Sequence, residues 1–98
     1  MIQKRTKKYK VNVTSTHIRK GIANIKTGNK CILALAIRAA FKVKDVTVGY
    51  DNCARVKHRY FDGDAASAYA LLTIKTYENK PELLLKKIKP FTFTLTLS

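Results

Sequence analysis

Residues 30–42 read KCILALAIRAAFK and carry the strongest helix signal in the chain. Alanine and leucine dominate the stretch, and both favour a helix. Beyond Lys30 at its start, the only charges are Arg38 and Lys42 toward the C-terminal end, where cations suit the helix dipole. Because the stretch is apolar nearly all round, it predicts a buried central helix.

Alternating segments flank this helix on both sides and predict strands. Residues 8–13 (KYKVNV) place two lysines and Asn12 on one face, with a tyrosine and two valines on the other. Residues 43–50 alternate again, with Val46 and Val48 directed inward. The ending PFTFTLTL, residues 90–97, turns its Phe and Leu side chains inward and its threonines outward.

Residues 54–61 (ARVKHRYF) continue the alternation and predict a single strand. One face of this strand carries the cations Arg55, Lys57 and Arg59. The other face carries Val56, His58 and Tyr60. The following Asp-Gly-Asp predicts a turn, in which Asp64 caps a helix over residues 65–78.

Two shorter helices complete the prediction. One carries His17 and Ile22, begins at a cap among residues 14–16, and is interrupted by Gly21. The other covers residues 81–88 and begins with a proline. The order β-α-α-β-β-α-α-β predicts a two-layer α+β fold, with a mostly antiparallel sheet of about four strands and helices packed on one face. We predict a basic N-terminal arm, residues 1–7, and a single domain, residues 8–98.

Charge is distributed unevenly along the 98 residues. The chain has 20 Lys and Arg against 6 Asp and Glu, a net charge of +14. Residues 1–44 hold 12 of these cations and no acid, whereas residues 45–98 hold 8 cations and all 6 acids. This asymmetry is typical of a surface that meets a polyanion.

The cations of the two alternating segments define the candidate site. If both strands lie in one sheet, their outward cations form a patch about 15–20 Å long that consists of Lys8, Lys10, Arg55, Lys57 and Arg59. Outward side chains at i and i+2 are about 7 Å apart, which matches the distance between successive phosphates of one strand. The outward threonines add hydroxyl donors. Tyr9 and Tyr60 are predicted to point inward, which disfavours base stacking. Further cations extend the candidate site: Lys4, Arg5, Lys7, Arg19 and Lys20. We therefore predict phosphate contacts with DNA or RNA, with little sequence specificity.

Other functional classes lack support in the sequence. No nucleophile–base pair or catalytic motif is present, so we predict no enzyme, no catalytic residue and no cofactor. The two histidines and two cysteines have no metal-ligand spacing, which predicts two reduced thiols and no metal site. The longest apolar run has seven residues, so we predict no membrane partner and no signal peptide.

Two other functions fit the charge equally well. The protein could dock on an acidic host protein or ribonucleoprotein, for instance to inhibit host defence or transcription, since electrostatic attraction speeds association with any acidic partner. It could also be a structural component of a larger assembly. The sequence leaves these alternatives, and the oligomeric state, open.

Three stretches carry a family resemblance: VNVTSTHIRKGI (11–22), KCILALAIRAAF (30–41) with VTVGY (46–50), and KPFTFTLTL (89–97). They resemble small uncharacterised proteins found mostly in bacteriophage genomes, in the same order along about half of the chain. Ile32 departs from the proline usual in that pattern. The resemblance implies a phage origin and a cytoplasmic location in the infected host cell. It implies no reaction, because the matching residues are mostly core-like.

Overall fold

The computed structural model describes residues 7–22, 31–49 and 51–97. They form five strands and four helices, in chain order β1 (Lys8–Val13), α1 (Ser15–Ile22), α2 (Ile32–Phe41), β2 (Val46–Val48), β3 (Cys53–Val56), β4 (Arg59–Asp62), α3 (Ala65–Thr76), α4 (Pro81–Lys87) and β5 (Phe91–Leu97). The α+β prediction is confirmed. One strand more than predicted is present, because the segment predicted as a single strand over 54–61 is a hairpin.

The strands form one antiparallel sheet in the order β1-β5-β4-β3-β2. The first and last strands of the chain are neighbours, paired over six residues from Lys8–Thr96 to Val13–Phe91. The middle strands form a shorter meander, with three pairs between β2 and β3 and four between β3 and β4. Among the described residues, two pairs join the meander to β5: Phe61–Leu97 and Asp62–Thr96.

The buried strand residues all lie on one face of the sheet, which we call the inner face. The register places these side chains together: Val11, Val13, Val46, Ala54, Val56, Phe61, Phe93 and Leu95. They share one hydrophobic core with residues from all four helices. Burial of this kind contributes about 25 cal/mol per Å² of apolar surface, which makes the shared core the main stabilising feature.

Helix α2 is the central buried helix that its composition predicts. Five of its ten residues are buried, and Lys42 ends it in the left-handed conformation, with φ 55°. The prediction that Gly21 interrupts α1 is wrong, because the helix continues through it to Ile22. A Cβ at Gly21 would lie 2.5 Å from the Cα of Ile32, so glycine is required for the close packing of α1 on α2. None of the helices in the described ranges is long and apolar enough to span a membrane.

Polar side chains begin two of the helices. The Thr14 hydroxyl accepts the amide of His17 at 3.3 Å, and the Thr14 amide donates to His17 Nδ1 at 3.1 Å. At α3, Asp64 accepts the amide of Ser67 at 3.0 Å through Oδ1, which confirms the predicted cap. The Oδ2 atom of Asp64 accepts the amide of Thr94 on β5 at 2.9 Å. Asp64 therefore fastens the start of α3 to the sheet.

Candidate nucleic-acid interface

The face opposite the inner face, which we call the outer face, carries most of the polar strand residues. Antiparallel partners lie on the same face, so the register assigns these side chains to it: Lys8, Lys10 and Asn12 on β1, Thr92, Thr94 and Thr96 on β5, Tyr60 and Asp62 on β4, Cys53 and Arg55 on β3, and Thr47 on β2. Each is exposed or half-buried.

The β1–β5 half of the outer face consists of rows that pair a β1 side chain with a threonine. Lys8 lies opposite Thr96 and Lys10 opposite Thr94, and both lysines are exposed. In the third row, the Thr92 hydroxyl donates to Asn12 Oδ1 at 2.8 Å. Successive rows lie about 7 Å apart along a strand. This half of the predicted patch therefore has the predicted geometry.

In the other half of the predicted patch, Arg55 lies on the outer face as predicted, but the prediction is wrong for Lys57 and Arg59. Lys57 and His58 form a two-residue loop between β3 and β4, and Lys57 adopts a φ of 56°. Val56 then pairs with Arg59, which places Arg59 on the side of the inner face and Arg55 on the outer face. Tight hairpin loops need a positive φ and usually signal it with glycine or asparagine. Here a lysine occupies that position, so the alternation continues through the turn without a break.

Arg55 is held by its neighbours in the sheet. Its Nη2 lies 3.1 Å from Asp45 Oδ1 and its Nη1 lies 3.3 Å from Asp45 Oδ2, a two-pronged ion pair. The guanidinium also donates to the Lys57 carbonyl at 2.6 Å and to the Thr47 hydroxyl at 3.3 Å. Arg55 thus braces the hairpin and the edge strand β2, and Asp45 offsets its charge.

Two aromatic side chains decide whether bases can stack on this surface. Tyr9 points inward as predicted, with its ring centroid 5.1 Å from that of Phe41 and 5.6 Å from that of Phe61. Tyr60 does not point inward. It lies on the outer face opposite Arg55 and is 56% exposed. His58, also predicted inward, is exposed in the hairpin loop. The hairpin reverses the faces, and the outer face gains an aromatic ring.

The cations of the outer face therefore form two groups rather than one patch. Lys8 and Lys10 lie on β1, and Arg55 lies three strands away on β3, about 14 Å across the sheet by strand spacing. Asp62 lies between them, in one row with Thr96 and Lys8. Arg55 forms an ion pair with Asp45, whereas Lys8 and Lys10 form none within the described residues.

The remaining predicted site residues lie away from this group or outside the description. Lys7 is exposed just before β1, and its carbonyl accepts the Leu97 amide at 3.0 Å. Arg19 and Lys20 are exposed in the last turn of α1, not on the sheet. Lys4 and Arg5, with most of the predicted arm, lie outside the described residues.

The cysteines and histidines make no metal site in the part of the chain that the structure describes, where no three His, Cys, Asp or Glu side chains cluster. Neither cysteine forms a disulfide. Burial raises the pKa of Cys31, and burial together with the charges of Asp51 and Asp62 raises the pKa of Cys53. Both sulfurs are thus favoured in the protonated form, which is the weaker nucleophile.

Comparisons with family models, curated proteins and solved structures found no match for this chain. The resemblance to small bacteriophage proteins therefore stays a prediction.

Proposed function

We propose that this protein binds nucleic acid on its outer face, with Lys8 and Lys10 on phosphates and Tyr60 against a base. The observation that carries the proposal is the β1–β5 ladder, where exposed lysines stand in rows with threonine hydroxyls. Phosphate oxygens accept hydrogen bonds from both groups. Row and phosphate spacings agree at about 7 Å, so consecutive phosphates can occupy consecutive rows.

The exposed tyrosine favours a single strand over a duplex. Proteins that bind single strands combine cations along the backbone with aromatic rings on which unpaired bases stack. Tyr60 and Lys8 lie on strands separated only by β5, within the span of one or two nucleotides. Threonines, lysines and a single ring supply few groups that read base edges, so we expect little sequence specificity.

The overall charge supports the same partner. A charge of +14 attracts a polyanion from a distance and speeds association. In the setting that the phage resemblance implies, the partner would be met in the cytoplasm of an infected cell.

The proposal is tested by fluorescence anisotropy with labelled single-stranded DNA, RNA and duplex DNA of one length, between about 50 and 200 mM salt. Because each phosphate contact on a single strand contributes about −0.7 to the slope of log K against log[salt], Lys8→Gln/Lys10→Gln should make that slope shallower by about 1.4. Tyr60→Ala should weaken single-strand binding by roughly 5- to 150-fold, the loss expected for one stacked base.

A matched control variant distinguishes binding at the β1 lysines from general attraction by the positive charge of the protein. Lys44→Gln/Lys80→Gln removes the same charge from exposed lysines outside the strands and should change the slope less than the β1 variant. Equal effects of the two double variants would reduce the binding to nonspecific attraction. No measurable binding of any of the three nucleic acids at 50 mM salt would end the proposal.

A further inference from the structure

A groove separates α3 from the segment that joins α4 to β5. Its volume is about 510 Å³, and three alanines of α3, Ala65, Ala66 and Ala70, line one side. Tyr69 and Phe91 add aromatic rings to the lining. The volume is several times that of one side chain, so the groove can hold two or three apolar side chains of a ligand.

Exposed apolar side chains occur mainly on α3 and α4, the two helices that border the groove. Tyr69 is 73% exposed, and three leucines of α3 and α4 are also exposed: Leu72, Leu83 and Leu85. Among the large apolar side chains exposed in the described ranges, only Tyr60 lies elsewhere. Of these side chains, Tyr69 is the one that lines the groove, and exposed apolar surface in a groove marks a place where another molecule binds.

The charge of the groove lies on one wall. Lys87 and Lys89, on the α4–β5 side, are its charged lining residues among those that the structure describes, and no described acid lines it. The ammonium of Lys87 lies 6.0 Å from the centroid of the Tyr77 ring, a cation–π contact that places it beside the end of α3. The α3 wall contributes only alanines, Tyr69 and Thr73. A ligand that fits both walls is apolar on one side and acidic on the other.

Nucleic acid and a second copy fit this groove less well. Single-strand grooves follow the backbone with many cations, whereas this one has two on one wall. The Thr73 hydroxyl already donates to the Tyr69 carbonyl at 2.9 Å, which leaves few groups to read a base. A second copy docked face to face would bring the Lys87 and Lys89 side chains of both copies together.

We propose that this groove binds an acidic segment of a partner protein, with apolar side chains inserted against Tyr69 and Phe91 and carboxylates against Lys87 and Lys89. This surface is separate from the outer face of the sheet and needs no nucleic acid. Burial of the apolar side chains supplies most of the affinity, because exposed ion pairs contribute little. The two lysines set orientation and speed association.

The test is selection of binders from a random 12-residue peptide-display library on the whole immobilised protein. We expect enrichment of peptides with Asp or Glu beside Leu or aromatic residues. Selected peptides, made synthetically, should bind Tyr69→Ala at least 10-fold more weakly. Lys87→Glu/Lys89→Glu should slow association and reduce its salt dependence.

Two control variants locate the site. Leu72→Ala removes an exposed side chain from α3 outside the groove lining and should leave peptide affinity within about twofold, the usual range for surface positions. Lys8→Gln/Lys10→Gln should do the same, and this double variant distinguishes failure of the groove from failure of the outer face. Circular dichroism checks that each variant is folded.

Three results would overturn the inference. One is a selection that enriches no acidic–apolar motif. Another is peptide binding that Tyr69→Ala and Lys87→Glu/Lys89→Glu leave unchanged. The third is full displacement of the peptides by single-stranded DNA from the wild-type protein but not from the Lys87→Glu/Lys89→Glu variant, which would assign the groove to nucleic acid.

Discussion

The β1–β5 ladder and the β2–β3–β4 meander use their polar side chains differently. The ladder pairs six residues on each strand, and the only outer-face side-chain bond it shows among the described residues joins Thr92 to Asn12. The meander pairs three or four residues at a time. Its outward cation, Arg55, is bound to Asp45, Thr47 and a backbone carbonyl.

The difference shows that a cation on a sheet face is not by itself a binding residue. The long ladder is stabilised by its backbone bonds and by the buried Val11, Val13 and Phe93 beneath it, so its outer side chains stay available to a ligand. Each pair of short strands in the meander joins fewer residues and so has fewer backbone hydrogen bonds. Side-chain hydrogen bonds, such as those of Arg55, add to the contacts that hold these strands together. The outer face therefore has one side where Arg55 is held by structural contacts and another, on β1, where the lysines have no ion pair among the described residues.

The largest expected effect comes from Asp64→Ala, at the point where the two regions meet. The substitution removes the α3 cap and the acceptor of the Thr94 amide, and we expect a loss of about 2–3 kcal/mol in the free energy of unfolding. Urea denaturation measures it. Asp62→Ala, an exposed carboxylate two residues earlier, is the control and should cost less than about 0.5 kcal/mol. Equal losses would mean that the Asp64 side chain does not fasten α3 to β5.

An intermediate effect should separate Arg55 from Lys10. Arg55→Gln breaks the ion pair with Asp45 and should lower the free energy of unfolding by up to about 1 kcal/mol, with little change in nucleic-acid affinity. Lys10→Gln should do the reverse, because its ammonium is exposed and has no ion pair among the described residues. Urea denaturation and anisotropy on the same samples measure both. If Arg55→Gln weakened binding as much as Lys10→Gln, the division of the outer face would be wrong.

The smallest expected effect is a pH dependence of stability that arises from His17, in the cap at the start of α1. Burial lowers the pKa of His17 below its usual 6.5, and the charge of Lys20 acts in the same direction, against a backbone hydrogen bond with Asn12 that raises the pKa. The unfolded chain therefore binds this proton more readily than the folded one, so the contribution of His17 is present above pH 6.5 and is lost as pH falls through the lowered pKa. Protonation also removes Nδ1 as acceptor of the Thr14 amide.

The measurement is the urea midpoint of wild type and His17→Gln between about pH 5.5 and 7.5. The wild type should lose stability toward low pH more steeply than His17→Gln. Parallel curves for wild type and His17→Gln would show that the imidazole does not cap α1 in this way.

Much of the fold follows from local patterns. Helix α2, strands β1 and β5 and the Asp64 cap are each predicted from a short stretch, because each combines a clear period with matching end signals. Strand β2 is shorter than its pattern suggests. The candidate site follows less closely from the sequence: Lys8 and Lys10 lie where the pattern predicts, whereas Tyr60 lies on the face opposite to the predicted one. The error has one source, a hairpin loop whose positive φ falls on Lys57 rather than on glycine.

The sequence alone determines the α+β class, the inward and outward sides of β1 and β5, and the excess of positive charge. The class and the two sides of each strand depend on the period of apolar residues within a short stretch. The positive charge is a sum over the residues and does not depend on how they are arranged. Only the tertiary structure decides that β1 lies beside β5, that Asp45 neutralises Arg55, and that α3 and the α4–β5 segment leave a groove between them. Those features join residues far apart in the chain, and the packing of one shared core brings them together.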